Sequence, residues 1–150
     1  MSSINAGANA PKILIVGGGY AGFYTAFKLE KLLKKGEAEV TLVDPLPYLT
    51  YQPFLPEVVA GSIEVRHVVT SHRRHLKSTN IVAGKVTNVD HATKTATIEV
   101  AGLKPYKMQY DQIVVTAGAP GGTRTHTVAI LSRLSLPLEY RGLTLSLIHI

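Results

Sequence analysis

The chain is 150 residues long, 45% hydrophobic and 17% charged, with a formal net charge of +6 and no cysteine. A chain of this size buries roughly 70% of its unfolded surface, as a soluble globular domain does. No stretch reaches the ~18 uninterrupted apolar residues of a membrane span. The missing thiols exclude disulfides, thiolate metal sites and a cysteine nucleophile within this stretch.

Residues 1–10 are small and polar, without the charged start and apolar core of a secretory signal, and are expected to form a disordered lead-in. Residues 13–16 are four consecutive aliphatics, the pattern of a strand covered on both faces. Gly17-Gly18-Gly19-Tyr20-Ala21-Gly22 follows, and the spacing predicts a helix over 21–35 with Ala21, Tyr24, Leu29 and Leu32 on one side. A second apolar run, 40–43, ends on a lone acid, Asp44. Strand, glycine turn, helix start and a carboxylate about twenty residues on form a dinucleotide-binding signature. Gly17 permits a tight turn, Gly19 leaves room for a diphosphate to approach the backbone, and Gly22 lets helix and sheet pack closely. The first helical amides and the positive end of the helix dipole then face the phosphates, while Asp44 accepts from the ribose hydroxyls. The alternative is a βα unit whose glycines serve packing only.

Four of the lysines, Lys28, Lys31, Lys34 and Lys35, fall late in this helix, where cations complement its negative end. Pro45-Leu46-Pro47 breaks regular structure, and 48–56 reads as an aromatic, proline-punctuated loop before a short helix at 57–60 ended by Gly61. A further helix is expected over 68–76. Its basic run, from Arg66-His67 to Lys77, reads as an exposed helix face, with phosphate or membrane binding as the alternative. His72 and His75 share a helical side without an acidic or cysteine partner, so no zinc site is expected, and no aromatics interleave to make a nucleic-acid platform. Strands are expected at 80–83 and 85–90, interrupted at Gly84, then at 95–100 and 106–110 around a turn at 101–105. Residues 112–116 form a last buried strand, and Ala117-Gly118-Ala119-Pro120 a tight exit.

These motifs resemble the amino-terminal FAD-binding part of the two-dinucleotide-domain flavoproteins, and among them type II NADH dehydrogenases, the non-proton-pumping NADH:quinone oxidoreductases. The glycine turn resembles that family's FAD diphosphate loop, and Asp44 stands where the family places its ribose acid. Tyr51-Gln52-Pro53-Phe54-Leu55-Pro56-Glu57-Val58-Val59-Ala60-Gly61 resembles the loop lining the flavin and the quinone approach. Tyr110-Asp111-Gln112-Ile113-Val114-Val115-Thr116-Ala117-Gly118-Ala119 resembles the second FAD-contacting turn, with Thr116 and Ala117 exchanged relative to the family pattern. The resemblance implies a Rossmann-like α/β FAD-binding domain, truncated, with a central parallel sheet and a small antiparallel β-meander. It implies FAD contacts at Gly17, Gly19, Tyr20, Ala21, Gly22, Asp44, Pro45, Gln52, Lys85, Val86, Ala117 and Gly118, the backbone at 85–86 meeting the adenine, and quinone-side contacts at Tyr51, Gln52 and Pro53. No side chain acts as nucleophile or general base, because the flavin carries the redox chemistry.

The implied partners are NADH and a quinone, with no nucleic acid. The implied location is the cytoplasmic face of a membrane, touched peripherally through a later C-terminal region. Related disulfide reductases and ferredoxin-type reductases share the first and last motifs, but the lipoamide and glutathione branch carries its redox cysteines in this first domain. Two further alternatives are a silent FAD- or NAD-binding fragment and a simple NAD-dependent dehydrogenase. The family pattern covers 11–119. Residues 120–150 lack a second glycine fingerprint and are expected to form a non-family tail, and the last six, Leu145 to Ile150, match the translation of a common sequencing-library transposon end. A divergent native segment is the alternative, in which the apolar 128–138 packs on the sheet edge or aggregates.

Overall fold

The computed structural model describes residues 10–116 and the strand Ala129–Leu131. Its centre is a parallel sheet. Strand β1, Lys12–Val16, pairs in parallel with β2, Glu39–Asp44, on one side and with β9, Gln112–Val115, on the other. Beyond β2 lies β5, Asn80–Ala83, again parallel, and β10, Ala129–Leu131, closes the other end antiparallel to β9. The sheet order is β10-β9-β1-β2-β5.

The aliphatic run of β1 is divided between the two faces because successive strand residues point oppositely. Ile13 and Ile15 join Val40, Leu42 and Val114 under helix α1, Tyr20–Leu32, which contributes Phe23 and Ala26. Leu14 turns the other way and packs with Val43, Ile113 and Tyr110 against Ala96 and Ile98 of a three-stranded meander. The meander consists of β6, Lys85–Asp90, β7, Thr95–Glu99, and β8, Tyr106–Gln109, all antiparallel. Helix, parallel sheet and meander thus form the layers expected from the sequence. Gly84 is the pivot between sheet and meander: a Cβ there would lie 2.7 Å from the carbonyl oxygen of Glu99.

Three local expectations are corrected. Helix α1 stops at Leu32, and Leu33 is extended. Lys34 and Lys35 are therefore not helical; the Lys34 amide donates to Glu37 Oε2 (2.8 Å) in the following turn. Within the 48–56 loop, Tyr48–Thr50 is a strand, β3, antiparallel to β4, Val69–Ser71. The loop continues through a 3₁₀ turn, Gln52–Phe54, into helix α2, Leu55–Val59. The helix expected over 68–76 is in fact strand β4 followed by one turn, α3, His72–His75. The β-branched run Val68-Val69-Thr70 favours a strand, and Tyr51 N–H donates to the Val68 carbonyl (2.7 Å) beside it. The prolines hid β3 because a two-stranded ribbon tolerates them at its ends.

Glu30 of α1 closes the sheet's far side. Its Oε1 accepts from the Ser78 and Thr79 amides (both 2.7 Å) and the Thr79 hydroxyl (2.8 Å), and its Oε2 from the Lys77 amide (3.1 Å). Glu30→Ala strands several donors around buried Thr79. The expected cost is about 2 kcal/mol, read as a lowered urea midpoint with an unchanged slope.

Candidate dinucleotide-binding site

The chain turns at the carboxyl end of β1, where parallel α/β sheets place their ligands. Gly17 has φ +100°, a left-handed conformation that demands glycine. Its amide donates to the Val43 carbonyl (2.8 Å), extending the β1–β2 ladder one step past Val16. Its own carbonyl accepts from the Thr116 hydroxyl (2.8 Å), which also lies 2.9 Å from the Val16 carbonyl. Gly18 is held at both polar groups: its amide donates to Asp44 Oδ2 (2.5 Å), and its carbonyl accepts from His72 Nε2 (2.9 Å). Asp44 Oδ1 takes the Leu46 amide (2.7 Å).

Gly19 is the N-cap of α1, and its carbonyl accepts from the Phe23 amide (2.8 Å). No acidic residue occupies the first turn itself, so its amides are not covered by a side chain of the helix. A Cβ at Gly19 would meet nothing within 4 Å, whereas one at Gly22 would lie 1.8 Å from the Gly17 carbonyl oxygen and 2.6 Å from Thr116 Oγ1. A Cβ at Gly18 would lie 2.5 Å from His72 Cε1 and 2.9 Å from Asp44 Cβ. Glycines 17, 18 and 22 are thus shaped by the protein itself, and Gly19 alone of the four faces open space. That opening, beside first-turn amides, fits a diphosphate.

Of the residues implicated by sequence, Gly17, Gly19, Tyr20, Ala21, Gly22 and Asp44 come together at this turn, and Pro45 follows Asp44 at the strand tip. Lys85 and Val86 begin β6 alongside, because the Gly84 amide donates to the Asp44 carbonyl (3.0 Å). Gln52 sits exposed in the 3₁₀ turn. Its neighbour Tyr51 reaches the turn, with its ring edge-on to Tyr20 at a centroid distance of 6.2 Å and to Phe54 at 4.8 Å. Ala117 and Gly118 lie outside the described residues.

His72 is the participant that sequence reasoning missed. The ring is fully buried rather than on an exposed helix face, and it stacks on Phe23 at 5.8 Å and 27°. A carbonyl only accepts, so the bond to Gly18 puts the proton of the neutral ring on Nε2. Nδ1 has no partner among the described residues. Burial pushes the ring's pKa below its usual value, outweighing the opposing pull of the Gly18 carbonyl and the charge of Asp44. The unfolded chain therefore binds the proton first on acidification. Stability is expected to fall from about pH 6.5 downward through the folded value, with the slope lost in His72→Leu, as urea midpoints at successive pH values would register.

The model of the pyridine nucleotide-disulphide oxidoreductase family matches residues 11–130, which extends beyond residue 119 into β10. The chain is 29% identical over 129 residues to the external alternative NAD(P)H-ubiquinone oxidoreductase B2, mitochondrial, of Arabidopsis thaliana, covering 80% of this chain and 22% of that protein. It is 35% identical over 85 residues to the type II NADH:quinone oxidoreductase of Staphylococcus aureus, covering 55% of this chain and 21% of the relative. The structure of NDH2 from Plasmodium falciparum in complex with NADH superposes with a TM-score of 0.68 at 26% identity, over 77% of this chain and 24% of that one. The chain thus spans about a fifth of the length of the curated relatives it matches. With a parallel Rossmann-like sheet, a glycine turn at its carboxyl edge and a family match over most of its length, the chain belongs to the pyridine nucleotide-disulphide oxidoreductase family.

Proposed function

We propose that residues 11–119 form the FAD-binding unit of an FAD-dependent NADH:quinone oxidoreductase, followed by a tail, 120–150, whose strand β10 pairs on the edge of that unit's sheet. The observation carrying the reading is the convergence of Asp44 on the glycine turn, 2.5 Å from the Gly18 amide, beside the open face of Gly19. Gly19 and the first-turn amides of α1 hold the FAD diphosphate. Asp44 takes the adenosine ribose, and the backbone at Lys85 and Val86 lies against the adenine. Pro45 and Gln52 line the cofactor, and Ala117 and Gly118 complete the cradle. Tyr51, Gln52 and Pro53 face the flavin and the quinone approach; the edge-on contact of Tyr51 with Tyr20 supports that placement. Held there, FAD would supply the redox chemistry between NADH and a quinone, and the protein's part would be to position it.

By the same reasoning, the active protein works at the cytoplasmic face of a membrane, touching it peripherally. Among the described residues no helix is long and apolar enough to cross one. The short span relative to the relatives supports a second reading for the isolated chain, in which it binds FAD without turning over.

The test is to purify the chain, add FAD, and record the visible spectrum before and after NADH. Bound yellow flavin supports the assignment; bleaching by NADH then indicates the enzyme, and its absence the silent module. A colourless protein that binds NAD in a calorimeter overturns the flavin assignment. Gly19→Val is expected to fold, with a Tm within a few degrees of the parent, since its Cβ meets nothing. It should lose FAD affinity by roughly a hundredfold, because the branched side chain occupies the space the diphosphate needs.

A further inference from the structure

The glycine turn is fixed one peptide plane at a time. In the plane joining Gly17 to Gly18, the carbonyl accepts from Thr116 and the amide donates to Asp44. In the next plane, joining Gly18 to Gly19, the carbonyl accepts from His72 Nε2 at 2.9 Å. A trans peptide is rigid, with its C=O and N–H on opposite edges. Fixing the Gly18 oxygen toward His72 therefore fixes the direction of the Gly19 N–H, away from the buried ring. The ring is built in for this purpose: it is fully buried, packed on Phe23, and fills the space a side chain at residue 18 would need.

We propose that His72 is a positioning residue that aims the Gly19 amide at the ligand's diphosphate by holding the carbonyl of the same peptide. This rests on the dinucleotide reading above. It links the short helix α3, 54 residues away in sequence, to the chemistry of the glycine turn. The ring is not itself a phosphate ligand; it acts through the backbone. Its neutral state suits that role, because a carbonyl needs one donor and, among the described residues, nothing accepts a second proton on Nδ1.

The test uses amide geometry. The side-chain amide nitrogen of glutamine falls near the position of histidine Nε2, whereas that of asparagine falls near Nδ1. In the whole chain, His72→Gln is therefore expected to bind FAD within about twofold of the parent, and His72→Asn and His72→Leu roughly tenfold more weakly. The ligand-free readout is the residual dipolar coupling of the Gly19 N–H, expected to be preserved in the glutamine variant and altered in the other two. An unchanged Gly19 coupling in both asparagine and leucine variants overturns the positioning role, whatever FAD does. So does equal FAD affinity in all three. A parent chain that binds no FAD instead refutes the dinucleotide reading, and the Gly19 coupling still decides whether His72 orients the peptide. Should a variant fail to fold, a through-bond coupling between the His72 ring nitrogen and the Gly18 carbonyl carbon in the parent decides: present, it supports the clamp; absent, it overturns it.

Discussion

Gly22→Ala is expected to abolish the native fold or lower its stability by more than about 3 kcal/mol, despite the better helix propensity of alanine. The propensity gain is at most about 1 kcal/mol, the figure for a helix interior, and Gly22 lies in the first turn. Against it stands a methyl group built 1.8 Å from the Gly17 carbonyl oxygen and 2.6 Å from Thr116 Oγ1. Neither neighbour is the flexible end of a long side chain. Gly17 is pinned by its bond to Val43, and Thr116 by its own amide bond to Val16 (2.8 Å). Relief requires α1 to lift off β1 and β9, pulling Phe23 and Ala26 out of the core they share with Ile13 and Ile15. Overpacking of a tight core commonly costs 1–3 kcal/mol, and a rigid backbone neighbour puts this case above that range. Thermal denaturation followed by circular dichroism checks it. A melting temperature equal to the parent's would show that helix and sheet are not locked at this point.

Asp44→Ala is expected to act on both stability and ligand, in unequal measure. The carboxylate takes the Gly18 and Leu46 amides, one per oxygen. Its loss should cost about 2 kcal/mol of folding stability, since hydrogen bonds to a charged group are worth about 1.5–3 kcal/mol but Leu46 can turn to water. The effect on FAD is larger. The same carboxylate has lone pairs left for two ribose hydroxyls, and the Gly18 peptide loses one of its two anchors at the same time. A fall in affinity of roughly a hundredfold or more follows, measured by quenching of flavin fluorescence under conditions where the variant is still folded. Asp44→Asn separates the contributions. One oxygen still accepts, so stability should recover by about half, while the ribose bonds weaken with the lost charge. Undiminished FAD affinity in the alanine variant would remove Asp44 from the site.

The parallel sheet was legible because its strands are short aliphatic runs buried on both faces, a pattern that surface strands do not share. Residues 13–16, 40–43 and 112–115 announce themselves this way, and Gly84 correctly divides two strands. The ribbon of β3 and β4 was not legible. Tyr48 to Thr50 sits among prolines, and the valines at 68 and 69 are followed by a basic run that imitates a solvated helix face. Of the glycines, 17 and 22 could be assigned from spacing, since each serves the strand turn or the helix packing next to it in sequence. Gly18 could not, because the atoms that forbid it a side chain belong to Asp44 and His72. Nor could His72 itself be found, since arginines and another histidine surround it and nothing local marks the one ring that turns inward. The hydroxyl of Thr116 was singled out only as a departure from a pattern; in the folded chain it props the turn from below.

The glycine turn is a short stretch, yet its anchors lie 26, 54 and 99 residues away along the chain. Its glycines permit the shape locally, and these distant groups hold it. Contacts of such long range carry a loop-closure cost that contacts within one helix or hairpin do not. During synthesis, therefore, the turn cannot gain its full set of anchors until Thr116 has left the ribosome and docked beside β1. Substitutions at these anchors should hasten unfolding far more than they slow folding.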